Sequence, residues 1–169
     1  MSLTSHQKQH RGATDTWLTP RFILDALGPF DLDPCAAPDP RPWPTADVHY
    51  VKEQDGLSLP WEGFVWCNPP FGPEVGAWLA RMADHGNGIG LCAARTETRW
   101  FADTVWSRAD AVLFLHGRPT FCRPDGTPGS DNSGVPICLV GYGMEASDRL
   151  GAAGLLGTFI NVWFQRRAS

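Results

Sequence analysis

The feature that most constrains the fold is an alternation, through the middle of the chain, of short apolar runs with helix-patterned segments. Residues 63–68 (GFVWCN), 88–94 (GIGLCAA) and 110–115 (DAVLFL) are almost continuously apolar. Between them, residues 73–86 repeat Val75, Trp78, Leu79 and Met82 at helical spacing, and residues 97–106 form a second helix-length segment. Strands that are apolar on both faces and alternate with helices predict an α/β fold, with helices covering a mostly parallel sheet. Residues 135–143 (VPICLVGYG), a short helix near 147–154 and residues 157–164 (GTFINVWF) bring the expected count to about six or seven strands.

Upstream, Pro20 opens RFILDALG, a short helix with Phe22, Ile23 and Leu27 expected on its buried face and Gly28 at its end. Residues 30–33 (FDLD) form a brief strand candidate that stops at Pro34. Five prolines among residues 34–44 rule out a helix or sheet interior there and predict a long ordered loop. Residues 1–15 are polar and aperiodic and read as a flexible N-terminal arm, leaving residues 16–169 as one domain. Residues 116–136, rich in Gly, Pro and Asp, exceed an ordinary connection and are a candidate target-facing loop.

Composition narrows the function classes. No apolar run reaches the roughly 18 to 20 residues that span a bilayer, and the polar N-terminus has no secretory core, so an intracellular protein is expected. The five cysteines are odd in number and contain no CxxC pair, which predicts neither a disulfide framework nor a zinc site. A formal charge of −4 argues against a protein that coats nucleic acid electrostatically. That charge is uneven. Residues 31–64 carry seven acids and two bases, net −5, whereas residues 90–123 carry five arginines and three acids, net +2. The preference for Arg (12) over Lys (2) reads first as the composition of a GC-rich genome, and second as bidentate phosphate or base contacts.

In an open α/β sheet the ligand site lies beyond the carboxyl ends of the strands. Two loops there carry chemistry: residues 31–36 (DLDPCA) and residues 68–71 (NPPF). Adjacent prolines fix φ twice and remove two backbone donors, holding the Asn68 side chain, the Pro69 carbonyl and the Phe71 ring in one arrangement. Such a set suits a planar amino-bearing base: two oxygens accept hydrogen bonds from an exocyclic NH₂ while the ring stacks. An aromatic amine is a poor nucleophile because its lone pair is delocalised. Two acceptors in tetrahedral geometry favour the localised lone pair, stabilising the transition state rather than the ground state. A plain rigid turn after a strand is the competing reading of the same four residues.

Asn68-Pro69-Pro70-Phe71 at a strand end resembles the catalytic motif of S-adenosylmethionine-dependent methyltransferases acting on adenine N-6. Further runs fit one branch of these enzymes: residues 17–20 (WLTP), 30–36 (FDLDPCA), 55–57 (DGL) with Trp61, 94–98 (ARTET) with Trp100 and Phe101, and 117–121 (GRPTF). Together, over residues 15–143, they resemble the phage-type DNA N-6-adenine methyltransferase (Dam) family. The resemblance implies a Rossmann-like class I methyltransferase fold, a three-layer sandwich. It makes Asn68, Pro69, Pro70 and Phe71 catalytic, and Trp17, Thr19, Pro20, Asp33, Pro34, Cys35 and Asp55 binders of S-adenosylmethionine. No GxG follows the first strand, which is acceptable for a cofactor without a pyrophosphate.

Arg95 and Arg99, spaced as if one helical turn apart, and Arg118 and Arg123 in the long loop are the DNA-binding candidates. Thr96 followed by Glu97 also has the form of a helix N-terminus. Phe121, Asn132 and Ser133 are further loop residues that either approach the flipped base or serve the loop itself. The implied reaction flips adenine from duplex DNA and methylates it directly, with no metal and no covalent protein intermediate. RNA or a protein glutamine as acceptor, or a module that binds without turnover, stay open at this level, as does monomer versus homodimer. The resemblance also implies a phage- or prophage-encoded protein in a bacterial cytoplasm, with a part in restriction–modification. Because no large insertion separates the motifs, target choice is expected to rest on residues 116–136, the N-terminal arm or a partner chain.

Overall fold

The computed structural model describes residues 16–162. The expected arm, residues 1–15, and the end of the last expected strand lie outside them. In chain order the elements are α1 (Arg21–Leu27), β1 (Leu32–Asp33), β2 (Val48–His49), β3 (Val65–Cys67), α2 (Val75–His85), β4 (Gly88–Ala93), α3 (Arg99–Phe101), a π-helical turn (Ala102–Trp106), β5 (Ala111–Leu115), β6 (Ile137–Tyr142), α4 (Met144–Ala152) and β7 (Gly157–Asn161).

The seven strands form one sheet in the order β2-β1-β3-β4-β6-β5-β7. Its first half is parallel: β1 pairs with β2 and β3, and β3 with β4. The expectation of a mostly parallel sheet fails beyond β4, because β6 inserts antiparallel between β4 and β5, and β7 runs antiparallel along β5. The physical reason lies in the connections. The 116–136 loop carries no helix across the sheet, so β6 turns back against β5, whereas α4 returns the chain so that β7 runs parallel to β6 and therefore against β5, which lies between them. Since β4 and β5 both oppose β6, five of the seven strands still point the same way.

Strand residues alternate between two buried cores, as a pleat requires. Trp66, Ile89, Leu91, Leu113 and Leu139 face α1 and α4, whereas Val65, Cys67, Cys92, Val112 and Val140 face α2 and the π-helical turn. The helices therefore cover both faces. In α2 the four expected residues are buried, and burying Leu79 and Met82 fully contributes about 1.5–3 kcal/mol each. In α1 the buried stripe is Ile23, Leu24 and Leu27, while Phe22 is mostly exposed, so the expected face is turned by one residue.

Two boundaries also differ from expectation. The second helix starts at Arg99 rather than Glu97 and passes into the π turn after one turn. Thr98, not Thr96, is the residue that precedes it, and its hydroxyl bonds back to the Arg95 carbonyl at 2.7 Å. Helix α4 starts three residues early, at Met144, directly after the strand. Strand β2 was not anticipated: two residues emerging from the proline-rich loop carry no period to read.

Candidate active site

Strands β1 and β3 are neighbours in the sheet, so their carboxyl ends bring the 33–36 and 68–71 loops side by side. The segment before α1 joins them. Asn68 Nδ2 donates to Thr19 Oγ1 at 3.2 Å, from a half-buried position onto a buried hydroxyl. This bond uses one of the two amide hydrogens and fixes which way the amide faces, leaving its oxygen able to accept. Pro69 is buried, while Pro70 and Phe71 are exposed. The Phe71 ring meets Phe121 edge-on, with centroids 6.0 Å apart at 87°.

The segment holding Thr19 is itself pinned. Leu18 and Cys122 exchange both backbone hydrogen bonds, at 2.8 and 2.9 Å, and Cys122 bridges on to Pro128. Residues 116–136 are thus an ordered β-bridged loop anchored beside Pro20. Trp17, two-fifths exposed, lies against Gly129 of that loop, and Gly126 at its turn packs on Pro42 and Trp43.

Asp33 is buried and spends both carboxylate oxygens on its own chain: the Cys35 N–H donates at 3.0 Å and the Thr45 hydroxyl at 2.5 Å. Burial raises its pKa to about 6; the bonds from Thr45 and Cys35 and the charge of Arg41 pull the other way. At neutral pH the group is still a carboxylate. Thr45 in turn donates its N–H to His49 Nε2 at 3.2 Å, with Ala46 adding a second donor at 3.3 Å. A ring nitrogen that accepts must be unprotonated, and partial burial, helped by Arg41, lowers the His49 pKa accordingly. Beside it, burial first, then Asp33 and Glu74, push the half-buried Cys35 thiol up to about 12, so it is a neutral lining group.

Asp55 is exposed, in the left-handed region at φ 52°, and accepts from the Ser58 hydroxyl. Gly56 presses on the β1 loop so closely that a Cβ there would lie 1.9 Å from the Pro34 carbonyl oxygen. Trp61 Nε1 holds the Gly56 carbonyl at 2.7 Å. The Asp55–Gly56 turn therefore sits directly against buried Pro34.

The four candidate arginines part company. Arg95 is exposed and lines a cleft of about 340 Å³ with Phe71, Val75, Thr98, Trp100 and Val135. Arg99 extends into solvent and pairs with Asp103 at 3.4 Å. Because α3 starts only at Arg99, Arg95 stands in the preceding turn and the two are not on one helical face, contrary to expectation. Arg118 donates to the Gly134 carbonyl at 3.2 Å and Arg123 to the Pro128 carbonyl at 2.8 Å, so both brace the loop.

Thr45 and His49 were missed because nothing in sequence links them to Asp33, twelve residues or more away. Trp100 entered only as part of a family pattern, and its place in the cleft depends on the packing of α2. Among the described residues no helix is long and apolar enough to cross a membrane, and no group of three or more His, Cys, Asp or Glu could hold a metal.

No curated protein and no solved structure matches this chain. A family model does: that of DNA N-6-adenine-methyltransferase (Dam), over residues 5–140. That span covers most of the chain and includes the Thr19, Asp33, Asn68 and Arg95 segments, and the chain belongs to the DNA N-6-adenine-methyltransferase (Dam) family.

Proposed function

We propose that this chain methylates the N-6 amino group of adenine in DNA, acting on a base extruded from the duplex into the site formed by Asn68, Pro69, Pro70 and Phe71. Membership of the family supports DNA adenine as the substrate and S-adenosylmethionine as the methyl donor. The observation that carries the site assignment is the Asn68–Thr19 hydrogen bond. It orients the Asn68 amide with its nitrogen toward Thr19, which supports the amide oxygen, together with the Pro69 carbonyl, as the acceptors for the two amino protons in this reading. As the nitrogen becomes tetrahedral those acceptors strengthen their hold on it, which lowers the barrier without tightening the ground state. Phe71 stacks on the base, and its exposure leaves the ring available. The proton released from nitrogen passes to water or through the acceptors, so no strong base is required.

The donor set fits the cofactor. A sulfonium amino acid carries an ammonium, a carboxylate and a ribose diol, and supplies an electrophilic methyl group when bound. Asp33 gives a buried negative charge for the ammonium, the Thr19–Pro20 segment adjoins it through Asn68, and Asp55 offers an exposed carboxylate suited to a diol. The Gly56–Pro34 contact draws that carboxylate toward the β1 loop. Pro34 and Cys35 follow Asp33 in the same loop and complete that side in this reading, with Trp17 contributing from beside the 116–136 loop. Helices on both faces and five strands in one direction support a Rossmann-like class I methyltransferase architecture. Within it, residues 116–136 contact the target and the enzyme works in the cytoplasm of a bacterial host.

The test is incubation of purified protein with labelled S-adenosylmethionine and duplex DNA, RNA or protein, followed by digestion for N-6-methyladenine. Label in DNA adenine that falls at least a thousandfold in Asn68→Ala is the expected outcome. Transfer to RNA or a glutamine amide alone, or cofactor binding with no transfer, overturns it.

A further inference from the structure

The cleft beside Phe71 has a second aromatic residue, Trp100, in its lining. Trp100, half-buried, lines the same space of about 340 Å³ as Phe71, with Val75 and Val135 on its apolar sides and both Arg95 and Glu97 among its polar lining. Phe71 meets Phe121 edge-on and also lines the cleft, so a planar ligand that stacks on Phe71 from within the cleft comes to lie beside Trp100.

The indole is fixed from behind rather than loosely placed. Gly76 of α2 lies under it, and a Cβ at that position would come within 3.0 Å of the Trp100 Cβ. Phe101 packs at 5.5 Å between ring centroids, tilted 60°. The Thr104 hydroxyl donates to the Trp100 carbonyl at 2.7 Å, in the π-helical turn that follows. A π turn here changes the helical phase directly after Trp100, and such turns often mark functional positions. An amphipathic ring that lines the same cleft as a second ring has the chemistry of a clamp for a nucleobase.

We infer that Trp100 is a substrate-binding residue, the wall opposite Phe71, between which the extruded base is held. The inference rests on the functional reading above and adds the residue that retains the base, and with it a requirement for a small residue at position 76. Stacking on a flat face is what the clamp supplies, so shape as well as volume matters.

The test compares Trp100→Phe, Trp100→Leu and Trp100→Ala in the full chain, with unmethylated genomic DNA and S-adenosylmethionine. Three readouts are taken: kcat/KM for DNA, S-adenosylmethionine affinity by equilibrium binding, and the salt dependence of DNA binding. Trp100→Phe is expected within about threefold of wild type in kcat/KM, whereas Leu and Ala lose about tenfold or more. Cofactor affinity stays within twofold and the salt slope is unchanged, since no phosphate contact is removed. Leu restoring activity as well as Phe overturns stacking in favour of packing. Wild-type kcat/KM in Trp100→Ala, or loss of cofactor affinity in step with activity in all three variants, also overturns the clamp. If the wild-type chain transfers no methyl group to DNA, the functional reading itself falls, a result separate from any difference among the variants.

Discussion

Asp33 shows how one buried carboxylate organises a loop that few backbone ladders support. Its two oxygens tie Cys35 and Thr45, and through Thr45 the neutral His49 ring, so the proline-rich segment closes back on the end of β1. The arrangement has a cost that depends on pH. Burial lifts the folded pKa from 3.8 to about 6, so between those values the folded chain keeps a proton that the unfolded chain has lost. Stability therefore falls as pH rises through that window and levels off above it, by roughly 3 kcal/mol from the difference in pKa. Asp33→Asn should flatten the slope between pH 4 and 6, read from urea midpoints of variant and wild type in parallel. An identical slope in both proteins would show that Asp33 is not buried as described. Asparagine can still accept from Cys35 and donate to Thr45, so the fold should persist while the charge proposed for the cofactor ammonium is lost.

At the level of elements, the site depends on contacts between loops that belong to different strands. Gly56 is the tightest of them. Alanine there cannot be accommodated without moving the backbone of Pro34, which separates the Asp55 turn from the β1 loop. Gly56→Ala is expected to weaken S-adenosylmethionine binding at least tenfold by calorimetry and to cost about 1–3 kcal/mol of stability. Unchanged affinity would remove Asp55 from the cofactor site. Much of this level was legible in the chain. The apolar runs located six of the seven strands, and the prolines of 68–71 marked a rigid loop at a strand end. The direction of β6 was not legible, because an apolar strand buried on both faces reads alike in either orientation. Helix α3 was misplaced because Thr96–Glu97 has the form of a helix start, while a turn closed by Thr98 onto Arg95 delays it. Arg118 and Arg123 look like phosphate contacts in sequence, yet the loop's own carbonyls claim them, a competition only tertiary structure reveals.

For the whole molecule, a net charge of −4 has to be reconciled with a polyanionic substrate. The acids gather in residues 31–64, which build the proposed cofactor half, and the surplus arginines in residues 90–123, of which Arg95 lines the cleft. Of those arginines, Arg99 is paired with Asp103, Arg108 with Asp84 at 2.6 Å, and Arg118 and Arg123 are held by backbone carbonyls. Arg95, exposed at the rim of the cleft, is the best placed for a phosphate of the strand that delivers the base. Among the described residues of this half few such contacts are offered, so a shallow dependence on salt is expected from them, and discrimination would rest on the proposed base clamp and the proposed target-facing loop 116–136. Arg95→Gln should weaken binding to all DNA sequences alike and lower the slope of log affinity against log salt by about one. Arg99→Gln, measured beside it, should change the slope by much less, because Asp103 already balances that charge. Fluorescence anisotropy with a labelled duplex across a salt series gives both slopes, and equal slopes for Arg95→Gln and wild type would move the phosphate contact elsewhere on the surface.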